Sequence, residues 1–239
     1  MSGITRSVTS RSLSGLRPPH PDGRAGFAPY AQAVSFTVGF DLDMTLIDPR
    51  VGIVEAFDAL AAETGIPLDG RAFVTRLGPP LSHEFRRYGL DEATIADLVI
   101  RYRELTPRLI VPKTVALPGA AEAVRAVTDR GGRAVVVTTK YGPNATAHLD
   151  HLGIEVSAVV GDLWSTAKAA ALQEFGAEVF VGDHLGDITG ARAADALAVG
   201  VATGPISAED LLAAGADVVL PDLTRFPEWL ESYLLATVH

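Results

Sequence analysis

From Val34 onward, short apolar runs alternate with helical patterns. The runs 34–40 (VSFTVGF), 133–139 (RAVVVTT), 156–161 (VSAVVG), 178–182 (EVFVG), 196–203 (ALAVGVAT) and 217–220 (DVVL) are largely apolar and rich in β-branched residues. They predict six strands. Between and after them the pattern predicts helices at 118–130, 143–152, 165–175, 187–195, 207–214 and 226–236. Strands with no polar face must be covered on both sides, and the intervening helices supply the cover. The expected fold is α/β, a Rossmann-like parallel sheet with helices on both faces. Ligands of such sheets bind beyond the carboxyl ends of the strands.

One stretch breaks the rhythm. Residues 50–115 are rich in Ala and Leu and poor in strand-formers, and read as helices: VGIVEAFDALAAETG, LSHEFRRYG and DEATIADLVIRYREL. They predict a small helical cap domain inserted after the first strand, on a core made of 34–49 and 116–239. Residues 1–33 are rich in Ser, Arg, Gly and Pro, with Asp22 their only acid. That composition predicts a disordered N-terminal tail.

Composition narrows the chemistry. The 239 residues include no cysteine, so disulfides, thiolate metal sites and a cysteine nucleophile are excluded. The net charge of −9 argues against nucleic acid as a partner. No apolar run approaches the roughly 20 residues that cross a bilayer, and no apolar signal core follows the start. A cytoplasmic protein with no membrane partner is expected. Oligomeric state has no signature in the sequence.

The acids gather at strand ends. The first strand runs into Asp41, Asp43 and Thr45, the second into Thr138, Thr139 and Lys140, and the fourth into Asp183, with Asp187 one helical turn on. In a parallel sheet these ends share one edge. Bare carboxylates about 4 Å apart repel by roughly 4 kcal/mol at an intermediate dielectric. A hard divalent cation with oxygen ligands relieves this, and Mg²⁺ suits two or three carboxylates. On this reading one of the paired acids shares a metal with Asp183 while the other handles a proton.

These segments resemble the haloacid dehalogenase (HAD) superfamily of phosphohydrolases. DLDMT after an apolar strand is similar to its first motif, VVVTT to its second and GDHLGD (182–187) to its fourth. The resemblance implies that Asp41 attacks phosphorus and forms an aspartyl-phosphate, and that Asp43 acts as acid and then base. It implies that Thr138, with Thr139 beside it, binds the phosphoryl group. Mg²⁺ would be held by Asp41, by Asp43 through its main-chain carbonyl, and by Asp183, with Asp187 just outside. The family's phosphate-binding lysine falls on Lys168, where no Pro follows and the spacing to Asp183 is short; Lys140 is the alternative.

RLGPPLSHEF (76–85) and LPGAAEAVRAV (117–127) resemble the cap loop and re-entry of the phosphoglycolate phosphatase-like branch. A cap of that kind implies a small phosphoester substrate, phosphoglycolate-like or a sugar phosphate. Arg76, Arg86 and Arg87 either meet a substrate carboxylate or lie solvated at the surface. A sugar phosphomutase is the alternative on this scaffold. A non-enzymatic phospho-Asp signalling module fits less well, because such modules lack the long insertion. His184 reads as a structural or solvent-facing residue, and Trp164 and Trp229 as packing residues.

Overall fold

The computed structural model describes residues 36–237, so the expected tail lies outside the described residues. The chain begins with β1 (Thr37–Phe40) and β2 (Ile47–Asp48). Four helices follow: α1 (Arg50–Thr64), α2 (Gly70–Phe73), α3 (Leu81–Arg86) and α4 (Glu92–Leu105). After β3 (Val115–Ala116) come α5 (Ala120–Thr128), β4 (Arg133–Val137), α6 (Gly142–Leu152) and β5 (Ala158–Val160). Then come α7 (Lys168–Glu174), β6 (Ala177–Gly182), α8 (Leu185–Ala193) and β7 (Leu197–Val201). The last elements are α9 (Ala208–Ala213), β8 (Val218–Leu220) and α10 (Phe226–Thr237).

Six strands form one sheet in the order β5-β4-β1-β6-β7-β8, parallel throughout, with β1 near its centre. Successive side chains of a strand point to opposite faces. Phe36, Val38 and Phe40 therefore join Val136 and Val181 against Val127, Leu149 and Phe226 of α5, α6 and α10. Val135, Val137 and Phe180 face the other way, onto Leu172, Ile188 and Leu211 of α7, α8 and α9. Gly39 lies on this second face, where a Cβ would stand 2.7 Å from Leu172 Cδ2. A strand apolar on both faces thus gives a sheet covered on both, as the pattern predicts.

The helices between β2 and β3 bury a third cluster of their own, which includes Ile53, Phe57, Leu60, Phe85 and Leu98. Phe57 is its centre, stacked on Phe73 at 4.8 Å and met edge-on by Tyr102 at 5.9 Å. Truncating such a ring to Ala costs about 3–5 kcal/mol. Asp91 caps α4 by accepting from the Ala93 and Thr94 N–H groups, and Gly65 ends α1 in the left-handed region at φ 72°. The chain leaves and re-enters the core through an antiparallel ribbon in which Ile47 pairs with Ala116. The hydrophobic pattern does not predict this ribbon, because two residues are too few to show a period. The expected helix at 165–175 begins instead as a 3-10 turn at Ser165–Ala167, where Ser165 has φ 51°.

Candidate active site

The ladder of β1 extends one residue past the strand, where the Asp41 N–H donates to the Val181 carbonyl at 2.8 Å. A tight turn follows. The N–H groups of Thr45, Leu46 and Ile47 all point at the Leu42 carbonyl, and Met44 takes φ 61°. Thr203, after β7, donates its hydroxyl to the Met44 carbonyl at 2.6 Å and pins the turn to the sheet edge. Thr138 follows β4, Asp183 follows β6, and Asp187 sits in the first turn of α8.

Asp41, Asp183 and Asp187 each bring a carboxylate oxygen to within 4.8 Å of the others. All three are buried, and Lys168 lies among them with 1% of its surface exposed. Its Nζ donates to Asp41 Oδ1 at 2.7 Å and to Asp187 Oδ1 at 2.6 Å. The carboxylate of Asp43 stands apart from this cluster. Its Oδ2 pairs with Lys140 Nζ at 3.1 Å, while its Oδ1 is buried with no hydrogen-bond partner. Both candidate lysines are therefore at the site, each on a different acid. Thr138, Thr139 and Lys140 line one cavity with Asp41 and Asp43.

Asp187 has both oxygens engaged, since Oδ2 accepts from the His184 N–H at 3.0 Å. His184 Nδ1 in turn accepts from the Gly186 N–H at 3.1 Å, which completes a cap on α8. Thr45 donates to Asp183 Oδ1 at 3.0 Å. The sequence places Thr45 at the strand end but gives it no partner. Gly204 carries no signal in the sequence, yet a Cβ there would lie 1.7 Å from Asp183 Oδ2.

Charge in this region is out of balance. Burial pushes the Asp41 carboxyl up to about 6, against the pull of Lys168. Burial, then the neighbouring Asp187 and Asp41, holds Asp183 well above the carboxylate range. Burial raises Asp43 too, opposed by Lys140. Burial alone would lower Lys168, but Asp187 and Asp41 outweigh it and hold the ammonium above its usual range. One ammonium cannot balance three ionised carboxylates, and the raised Asp41 and Asp183 carboxyls reflect burial and that excess. The second oxygens of Asp41 and Asp183 accept no side-chain hydrogen bond among the described residues. An all-oxygen, net-anionic donor set of this kind fits a hard divalent cation.

Above the acids lies a cavity of about 170 Å³. Its far wall comes from the helical insertion and includes Phe73, Leu77, Val99 and Tyr102. Arg76 pairs with Glu84 at 2.6 Å, Arg87 approaches the same carboxylate at 3.7 Å, and Arg86 pairs with Glu92 at 2.7 Å. None of these three arginines lines the cavity. Trp164 packs on the His184 ring at 5.1 Å, and Trp229 packs on Phe226 at 5.4 Å.

A profile of the haloacid dehalogenase-like hydrolases matches residues 37–195, which span β1 to the end of α8 and so hold every acid of the cluster. The chain belongs to this family. This HAD-like hydrolase is 31% identical over 212 residues to a phosphoglycolate phosphatase of Caulobacter vibrioides, covering 80% of this chain and 89% of the relative. It is 30% identical to a 5'-nucleotidase of Pseudomonas aeruginosa, over 81% of this chain and 95% of the relative. Its fold superposes with a TM-score of 0.73 on a crystal structure described as a predicted phosphatase of Clostridium acetobutylicum, at 24% identity, over 83% of this chain and 99% of the other. No helix among the described residues of this HAD-like hydrolase is long and apolar enough to cross a membrane.

Proposed function

We propose that this HAD-like hydrolase is a Mg²⁺-dependent phosphatase that cleaves a small phosphate monoester through an aspartyl-phosphate on Asp41. The observation that carries this reading is the pairing of roles at the turn after β1. Asp41 is held by Lys168, with its second oxygen free of side-chain partners. Two residues on, Asp43 presents a buried oxygen with no partner at the same cavity.

Asp41 attacks phosphorus and the bond to the ester oxygen breaks. Asp43, whose raised carboxyl favours the protonated form, gives its proton to that oxygen. Asp43 then takes a proton from the water that hydrolyses the acyl phosphate, which frees Asp41. Thr138 and Thr139 offer hydroxyl donors to the phosphoryl oxygens. Lys168 fixes the nucleophile and balances its charge.

Asp41, the Asp43 carbonyl and Asp183 would hold Mg²⁺. Bound there, it would offset phosphate charge so that an anionic nucleophile can approach. Asp187, with both oxygens in use, acts through Lys168 and the start of α8. The helices of 50–115 serve as a cap that excludes water and admits only a small ester.

The test is phosphate release from p-nitrophenyl phosphate with Mg²⁺. Asp41→Asn is expected to lose about 1,000-fold or more in turnover while remaining folded. EDTA is expected to abolish activity. Near-normal turnover in Asp41→Asn, or activity that survives EDTA, contradicts the proposal. Asp43→Asn is expected to harm alkyl esters more than aryl ones, whose leaving groups need less protonation.

A further inference from the structure

The cavity is divided by chemistry. On the sheet side are Thr138, Thr139 and Lys140; on the insertion side are Ile53, Phe73, Leu77 and Val99. A leaving group bonded to a phosphoryl group above Asp41 must lie along the second wall. Several cations of the insertion are committed elsewhere. Arg76 and Arg87 face Glu84, Arg86 is paired with Glu92, and Lys113 with Glu55. Arg103 alone of these reaches the cavity. It is held there by an ion pair to Asp162, with its guanidinium 4.4 Å above the Tyr141 ring. Lys140 is held on the sheet side, against Asp43.

A carboxylate on the leaving group would therefore be buried against apolar side chains with no unpaired cation on that wall to meet it, which is costly. An uncharged apolar body would gain from the same wall. The cavity measures about 170 Å³. That volume also seats the phosphoryl group at Asp41 and Thr138, and since an apolar cavity of about 150 Å³ holds one benzene ring, the body is one ring at most. Tyr102, Ser82 and Thr106 add polar groups at this wall, and the Tyr102 hydroxyl makes no hydrogen bond among the described residues.

We infer, on the basis of the phosphatase reading above, that the enzyme takes phosphate monoesters of uncharged alcohols with an apolar, ring-sized body. It discriminates against esters whose leaving group carries a carboxylate. The wall of Phe73, Leu77 and Val99, with Arg103 the one cation of the insertion at the cavity and that one paired to Asp162, sets this preference.

The experiment compares benzyl phosphate with 2-phosphoglycolate, both primary alkyl esters of similar intrinsic reactivity, on the full chain with Mg²⁺. The expected kcat/KM favours benzyl phosphate by roughly tenfold or more. Equal values, or a preference for phosphoglycolate, overturn the inference. A binding arm keeps it separate from turnover: calorimetry of both esters on Asp41→Asn should show tighter binding of benzyl phosphate. If neither ester is hydrolysed, the phosphatase reading fails and the binding arm alone decides. Equal binding, weaker binding of benzyl phosphate or no binding of either then overturns the inference. Val99→Lys places a cation on the half-buried wall and is expected to narrow the ratio by roughly tenfold. An unchanged ratio in that variant also counts against the proposal.

Discussion

Lys168 Nζ and Asp41 Oδ1, from residues 127 apart in the chain, meet at 2.7 Å beneath the cavity. The same ammonium reaches Asp187 Oδ1 at 2.6 Å, so one cation ties the first residue of α7 to the end of β1 and the first turn of α8. Lys168→Met removes it and leaves buried acids unpaired. Breaking a buried pair by removing one partner costs about 3–5 kcal/mol, and that loss of folding stability is expected in urea denaturation. Turnover is expected to fall about 100-fold. Because the cluster then lacks its only ammonium, added Mg²⁺ should raise the melting temperature of the variant more than that of the wild type. An equal response in both proteins would mean that Lys168 and the metal do not share the same carboxylates.

How much of this was legible in the sequence depends on the range of the interaction. The six strands announce themselves because runs such as RAVVV and EVFVG are apolar on both faces, which only a covered sheet tolerates. Parallel order then brings Asp41, Thr138 and Asp183 to one edge without further information. The helix that carries Lys168 is readable too, although its first turn is not: the pattern starts it at 165 and the structure at Lys168. What closes through space is not. The pairing of Lys140 with Asp43 and the bond from Thr45 to Asp183 depend on how the turn after β1 folds back. The apolar wall of Leu77 and Val99 belongs to a loop and a helix whose placement over the sheet no periodicity reveals. The fate of Arg76, eight residues from Glu84 and bound to it, is likewise a tertiary fact.

Gly204 is packed onto the metal-binding candidate Asp183. A Cβ at this position would lie 1.7 Å from Asp183 Oδ2 and 2.6 Å from its Cγ, so the carboxylate or the loop must shift in Gly204→Ala. Displacing a ligand through its support typically weakens metal affinity by about 10–100-fold. The expected outcome is an increase of that size in the Mg²⁺ concentration needed for half-maximal activity, with turnover largely restored at saturating Mg²⁺. An unchanged Mg²⁺ titration would show that the oxygen facing Gly204 plays no part in holding the ion.

Arg103 links α4 of the insertion to the core. Its guanidinium pairs with Asp162 and covers Tyr141, while its carbonyl accepts from Asn144 Nδ2 at 3.1 Å. The two charged side chains are 37% and 47% exposed, so the pair adds little to global stability, about 0–1 kcal/mol. It closes one side of the cavity, and its loss should appear in substrate binding. Arg103→Ala and Asp162→Ala are each expected to raise KM by about two- to fivefold with little change in melting temperature. The double variant should be no worse than either single one, as a double-mutant cycle requires of a shared contact. Additive effects would separate the two residues.

His148 gives the fold a pH dependence unrelated to the acids. It lies on α6 with no exposed surface, and neither ring nitrogen has a hydrogen-bond partner. Burial, followed by the charges of Lys140 and His151, lowers it from 6.5 to about 2. The folded protein therefore keeps this imidazole neutral, while the unfolded chain takes up a proton as pH falls below about 6.5. The stability tied to His148 is fully present above that pH and drains away toward pH 2, at up to about 1.4 kcal/mol per pH unit. His148→Leu removes both the titration and a buried polar ring without partners. Urea denaturation at pH 7.5 and at pH 5 is expected to show the variant gaining on the wild type at the lower pH. A gap between the two proteins that is the same at both pH values would mean that the ring is reached by water or by a partner, and that its charge is not excluded by the fold.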